Sequence, residues 1–195
     1  GRSSHYIGIY ADITDLKATQ QKLERLANFD ALTGLPNRTL LTDRLRQAMA
    51  QARRRRRLLA VCFLDLDAFK PINDSHGHAV GDRILAEVGR RLQGAVRAGD
   101  TVARFGGDEF VILLGDLADE AELSAGLGRV LELVAEPYPV DDLELHLSAS
   151  IGVALFPSDP ADPDMLLRHA DQAMYEAKRE GRNRYRVFRD AAPAR

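Results

Sequence analysis

The chain has 195 residues, of which 45% are apolar and 29% charged, a balance that suits one main domain and an appendage built on a single core. Its 27 basic and 29 acidic residues leave a formal net charge of -2. That removes any general electrostatic reason to expect nucleic acid or an anionic membrane as partner. Cys62 is the only cysteine, which excludes an internal disulfide, and no apolar run nears the roughly 18 residues of a membrane span. No signal peptide is recognisable. Because the chain begins at Gly1 rather than Met, we expect it to be part of a longer, cytoplasmic or membrane-anchored protein.

In chain order, Tyr6 to Tyr10 reads as a short strand, and Asp12 to Asp15 supplies N-cap residues for a helix to about Ala27. Leu16, Leu23 and Leu26 give that helix a short heptad-like stripe, suited either to a two-stranded coil or to packing on its own domain. Asp30 to Asn37, with Gly34 and Pro36, is a loop, and a helix follows from Arg38 to about Arg56. The five arginines Arg53 to Arg57 at its end fit a solvated helix C-terminus or an anionic partner. Leu58 to Leu66 is apolar enough for a buried central strand, with Cys62 in the core.

Asp67 to Gly81 reads as polar and irregular, and Ala79 to Val96 as a helix through Ile84, Leu85, Val88 and Leu92. Two strands, Thr101 to Phe105 and Phe110 to Leu114, flank Gly106 and Gly107 and predict a hairpin. A helix from Asp119 to Ala135, a strand from Leu143 to Phe156, a helix from Asp164 to Glu180 and a strand from Arg184 to Phe188 complete the chain. From the first buried strand the order is β-α-β-β-α-β with a further helix and strand. The expected class is α+β, an α/β sandwich on a ferredoxin-like palm core, which by itself fixes no function.

The chemistry concentrates in a few places. Asp65 and Asp67 end the buried strand two residues apart and so on one face. Carboxylates there are costly unless neutralised, and a Mg²⁺ ion does so. Asp108 and Glu109 follow the hairpin glycines, and pairing of the hairpin with the central strand would bring Asp65 and Asp108 to one sheet edge. Each pair alone also fits ordinary strand-end chemistry. Between them lie Lys70, Asn73, Asp74, His78 and Asp82, whose amide and carboxylate groups suit a guanine edge. Turn and N-cap roles compete, above all for Asp82. Lys178 and Arg182, four apart at a helix end, are surface charges unless a metal and a triphosphate lie beside them.

Taken together, these residues resemble the GGDEF family of diguanylate cyclases over about Asn28 to Phe188. The likeness runs through Asp30 to Arg38, Asp65 to Asp74, Gly77-His78, Gly81-Asp82, Gly106 to Phe110 and Ser150 to Val153. It continues in Ala170-Asp171, Tyr175, Ala177-Lys178 and Gly181 to Asn183. The resemblance implies a domain spanning 28–190 and a tail at 191–195. It implies that Asp65, the backbone carbonyl of Leu66 and Asp108 hold Mg²⁺ (or Mn²⁺), and that Asp108, Glu109 and Lys70 serve catalysis. Phe69, Asn73, His78, Asp82, Gly106, Gly107, Lys178 and Arg182 are the implied contacts to GTP. Two copies, each holding one GTP, would face each other as a homodimer and make cyclic di-GMP. Residues 1–27 resemble the last strand of a PAS sensor domain and its exit helix.

Arg97 and Asp100 match the family's inhibitory RxxD motif at its distance before Gly106, and mark an expected site for the product. Arg168 to Asp171 fits the same pattern, so position carries the assignment, against a simple helix-end ion pair. Two rivals stand beside the cyclase: a non-catalytic GGDEF domain that senses cyclic di-GMP or GTP, and another nucleotidyl-transfer enzyme with a palm-like fold. His76 departs from the aromatic or apolar residue frequent at its position but removes no implied ligand.

Overall fold

A computed structural model describes residues 14–189, so the expected strand at Tyr6 to Tyr10 and the tail at 191–195 lie outside the described residues. The elements run α1 (Thr14–Asn28), α2 (Arg38–Arg55), β1 (Leu58–Asp67), α3 (Phe69–His76), α4 (His78–Ala95), β2 (Thr101–Gly106) and β3 (Glu109–Leu117). They continue with α5 (Glu120–Ala135), β4 (Tyr138–Val140), β5 (Leu143–Leu145), β6 (Ser148–Phe156), α6 (Pro163–Arg179) and β7 (Arg184–Val187). The main sheet has the order β2-β3-β1-β6-β7. Its pairs are antiparallel except β6 with β7, so the expected palm order is present.

β1 lies at the centre because both of its faces are covered. Ala60, Cys62, Leu64 and Leu66 pack with Ile84, Leu85 and Val88 of α4 and with Leu123 and Leu127 of α5. Leu59, Val61 and Phe63 pack on the other side with Leu41 and Leu45 of α2 and Leu166 and Met174 of α6. The period of two in a strand turns one continuous apolar run into two core faces. Cys62 is fully buried, and burial pushes its thiol well above its ordinary range, so it is a core side chain and not a nucleophile.

Two stretches differ from expectation. Asp67 to Gly81 is not irregular: Ala68 takes a left-handed conformation (φ 61°), buried Phe69 anchors α3, and Gly77 (φ 85°) separates α3 from α4. Pro71 obscured the helix, although proline is tolerated in a first turn. The long strand from Leu143 is also two: β5 pairs with β4 in a separate hairpin, and only β6 joins the main sheet. Buried Arg91 fixes that hairpin's base, donating to the carbonyls of Leu133 (3.0 Å), Glu136 (2.7 Å) and Pro137 (2.7 Å) and lying 3.9 Å over the Tyr138 ring. A guanidinium there satisfies the last carbonyls of α5. The arginine run meets ordinary partners, with Arg55 and Arg57 against Asp116 and Arg53 over Phe156.

Helix α6 meets β6 backbone to backbone. A Cβ on Gly152 would fall 1.9 Å from the Ala170 carbonyl oxygen and 2.0 Å from the Met174 nitrogen. No side chain can yield at such a contact. Gly152→Ala is therefore expected to destabilise the domain by about 3 kcal/mol or more, read as a lower urea midpoint; an unchanged midpoint contradicts this packing.

Candidate active site

The site forms where β1 ends beside the β2–β3 hairpin. Asp65 stands opposite Glu109 in register, and the Leu66 amide donates to the Asp108 carbonyl at 3.3 Å. Gly107 turns the hairpin with φ 50°, a conformation that favours glycine. Arg104 holds this turn: Nε and Nη2 donate to the Gly107 carbonyl at 3.0 and 2.7 Å, while Nη1 donates to Asp30 Oδ1 and Oδ2 at 3.1 and 3.2 Å. Thr33 donates to Asp30 through its amide (2.8 Å) and hydroxyl (2.7 Å). Burial alone would raise the Asp30 carboxyl, but the hydrogen bonds from Thr33 and Arg104 outweigh it and hold it below the ordinary range.

The two acids ending β1 have separate tasks. Asp67 is buried and accepts from the Ser148 and Ser150 hydroxyls (2.7 and 2.8 Å) and from the Asn183 amide (3.2 Å), with Arg182 Nε 3.9 Å away. It ties β6 and the turn before β7 to β1. Asp65 instead faces Lys178 of α6, whose Nζ lies 2.7 Å from Oδ1. Burial pushes the Asp65 carboxyl up, Lys178 pulls it down, Asp108 and Asp67 push up again, and the net shift is upward. Glu109 is raised too, by burial first and then by the charges of Asp65, Asp171 and Asp108. Asp171 joins this group from α6; the sequence reading gave it no role.

Such crowded carboxylates suit a hard cation. Among the described residues no three acidic, histidine or cysteine side chains converge as a closed metal cage. A Mg²⁺ ion needs only one or two protein carboxylates, its remaining positions going to water and phosphate. The oxygens of Asp65, Asp108 and the backbone beside them are of the kind such an ion takes, and Lys178 is a cation in contact with Asp65.

On the other side of the site, α3 and α4 carry the remaining expected residues. Phe69 is buried, while Lys70, His78 and Asp82 are exposed. Asn73 Oδ1 is buried with no hydrogen-bond partner. A Cβ on Gly81 would lie 1.8 Å from that oxygen, so the absence of a side chain at Gly81 makes room for the amide. Asp82 lies inside α4, whose N-cap is Gly77, and so the capping role that competed for it is not the one it has.

Arg97 and Asp100 sit apart, at the end of α4 and the start of β2. Both Asp100 oxygens accept backbone amides, Oδ2 from Arg97 and Oδ1 from Gly115, each at 3.0 Å. The Arg97 guanidinium is paired with Glu122 of α5 at 2.8 Å rather than with Asp100.

The family model for the diguanylate cyclase GGDEF domain matches residues 27–184. The chain belongs to the GGDEF family. This GGDEF domain is 45% identical over 181 residues to the bifunctional diguanylate cyclase/cyclic di-GMP phosphodiesterase MucR of Pseudomonas aeruginosa, covering 93% of the chain but 26% of that protein. It thus spans about a quarter of that relative's length. Its fold is similar to the GGDEF domain of PA1120 (TpbB or YfiN) from the same organism, with TM-score 0.80, 41% identity and coverage of 83% and 94% of the two chains. It is also similar to the coiled coil and GGDEF domain of DgcB from Caulobacter crescentus in complex with c-di-GMP, with TM-score 0.81, 26% identity and coverage of 90% and 93%.

The raised Glu109 carboxyl has a consequence for stability. A carboxyl raised on folding favours the fold below its unfolded value, and that contribution is lost as pH climbs through the raised value. At neutral pH an ionised Glu109 therefore costs stability. Glu109→Gln is expected to raise Tm at pH 7 relative to the parent. The difference shrinks as the pH falls below the ordinary glutamate range. Equal melting of parent and variant at pH 7 contradicts this account.

Proposed function

We propose that this domain is a diguanylate cyclase that condenses two GTP molecules into cyclic di-GMP with release of two pyrophosphates. The observation that carries the reading is the orphaned Asn73 Oδ1, a buried acceptor with no partner. A buried, unpaired acceptor costs about 1–3 kcal/mol, and a guanine amino or imino group would satisfy it. Asp82 provides a second acceptor for that edge, and Phe69 and His78 flank the nucleotide.

Gly106 and Gly107 let the triphosphate approach the hairpin backbone, and Lys178, Arg182 and Lys70 bind its phosphates. Asp65, the Leu66 carbonyl and Asp108 would hold Mg²⁺. When bound, that ion screens the phosphate charge and lowers the pKa of the attacking hydroxyl. In the chemical step the 3′-hydroxyl oxygen of one GTP forms a bond to the α-phosphorus of the other. The α–β phosphoanhydride bond breaks, and pyrophosphate leaves with the electron pair. Asp108 accepts the hydroxyl proton, while Lys70 stabilises the charge developing on the phosphoryl oxygens.

One domain supplies one GTP, so two copies meet face to face and the step repeats with the roles exchanged. Helix α1, with exposed Leu23 and Leu26, is the segment that pairs them and raises their effective concentration. The catalytic domain then spans 28–190 and follows the end of a PAS-like sensor, in the cytoplasm. Cyclic di-GMP inhibits at Arg97 and Asp100. Further domains, as the relatives' greater length suggests, set when the copies meet.

Incubation with GTP and Mg²⁺ tests the reading. The parent should form cyclic di-GMP, and Asp108→Ala should lose at least about a hundredfold in rate, the scale of several kcal/mol of charge stabilisation. Asn73→Ala should raise KM for GTP about tenfold, the worth of one buried hydrogen bond to the base. No product from the parent, even at high protein concentration, overturns the proposal.

A further inference from the structure

The pairing of Arg97 with Glu122 places an acidic side chain on the residue proposed to hold the product. Glu122 Oε1 lies 2.8 Å from Arg97 Nη1, and Oε2 accepts the Ala118 amide at 2.8 Å. The residue is anchored through its backbone as well: the Glu122 backbone amide donates to Asp119 Oδ1 at 2.9 Å, which makes Glu122 part of the cap of α5. The Glu122 side chain is 27% exposed and that of Arg97 66%. One partner is thus fixed in the wall while the other reaches toward solvent.

The open depression that Arg97, Asp100, Glu122 and Arg129 line together with apolar neighbours has a volume of about 30 Å³, room for a water or two and not for a nucleotide. A phosphodiester therefore meets Arg97 from the solvent side, where Nη1 is already held by Glu122. A ligand that pairs with Nη1 displaces Glu122, and its negative charge lies near an anchored carboxylate either way. Arg129 remains as a second cation in the same wall.

We propose that Glu122 is an internal competitor for the product site, occupying the Arg97 guanidinium in the free protein and setting the concentration at which cyclic di-GMP binds. This rests on the reading of Arg97 and Asp100 as the product site. Two effects act in one direction: an ion pair is broken on binding, and an anion is placed beside a carboxylate. The site is detuned by the chain's own residue, so that product accumulates further before it is sensed.

The test is titration calorimetry of cyclic di-GMP into the purified chain, with no GTP present, so that binding is measured apart from catalysis. Glu122→Gln keeps an oxygen for the Ala118 amide and removes only the charge. It should bind about three- to tenfold more tightly than the parent, with the advantage shrinking at 0.5 M salt as charge interactions are screened. Glu122→Ala loses the cap and melts lower but should show the same tightening. Arg97→Ala should abolish binding.

If the parent binds through Arg97 and both Glu122 variants bind no more tightly, the competitor role is overturned while the product site stands. If the parent binds nothing, or binds equally well without Arg97, the product-site reading falls and this inference with it.

Discussion

The fold's acidic edge depends on one guanidinium. Arg104 grips the Gly107 carbonyl with one side of its fork and the Asp30 carboxylate with the other. The planar fork suits that double contact, and a lysine would lose one side of it. The loop after α1 and the turn before Asp108 thereby become one body. The same loop is sealed onto α1 by the Asn37 side chain, which donates to the Ala27 carbonyl at 2.8 Å, and by the Asn37 amide, which donates to that of Asn28 at 2.9 Å. Arg104 itself donates its amide to the Pro36 carbonyl at 3.0 Å. Every contact in this chain is short and polar, so the position of the acidic hairpin is tied to the helix that enters the domain.

Around that edge the molecule keeps groups that do not favour its own folding. Glu109 and Asp65 carry raised carboxyls, and Asn73 keeps an unpaired acceptor. Buried Asp67 and Arg91, by contrast, each have several hydrogen-bond partners. The contrast separates residues that hold the fold from residues held by it. Crowded carboxylates and an unpaired acceptor at one edge are what a ligand would complete.

Much of this was legible in the chain itself. The strand from Leu58, the glycine hairpin and the amphipathic helix through Leu92 are strongly patterned, and each is present within a few residues of its expected ends. Helix α3 was not legible, because proline, asparagine and aspartate mask a helix whose cause is tertiary: the burial of Phe69 under α4. The hairpin β4–β5 was missed because its anchor, Arg91, lies more than forty residues away. Asp65 and Asp67 looked equivalent by spacing. The family resemblance singled out Asp65, and the structure adds the reason the two differ: Lys178 of α6 meets Asp65, while Ser148 and Ser150 of β6 hold Asp67. The partner of Arg97 was equally hidden, since nothing local links it to Glu122.

Gly152 has a reach beyond the strand it sits in. At Gly152 no side chain separates α6 from β6, so the helix touches the sheet at bare backbone separation there and has no compressible layer to absorb a small slip. Asp171 and Lys178 share that helix. They behave as teeth on a rigid rail, fixed in pitch against Asp65 and Glu109, and the rail moves only if the sheet moves with it.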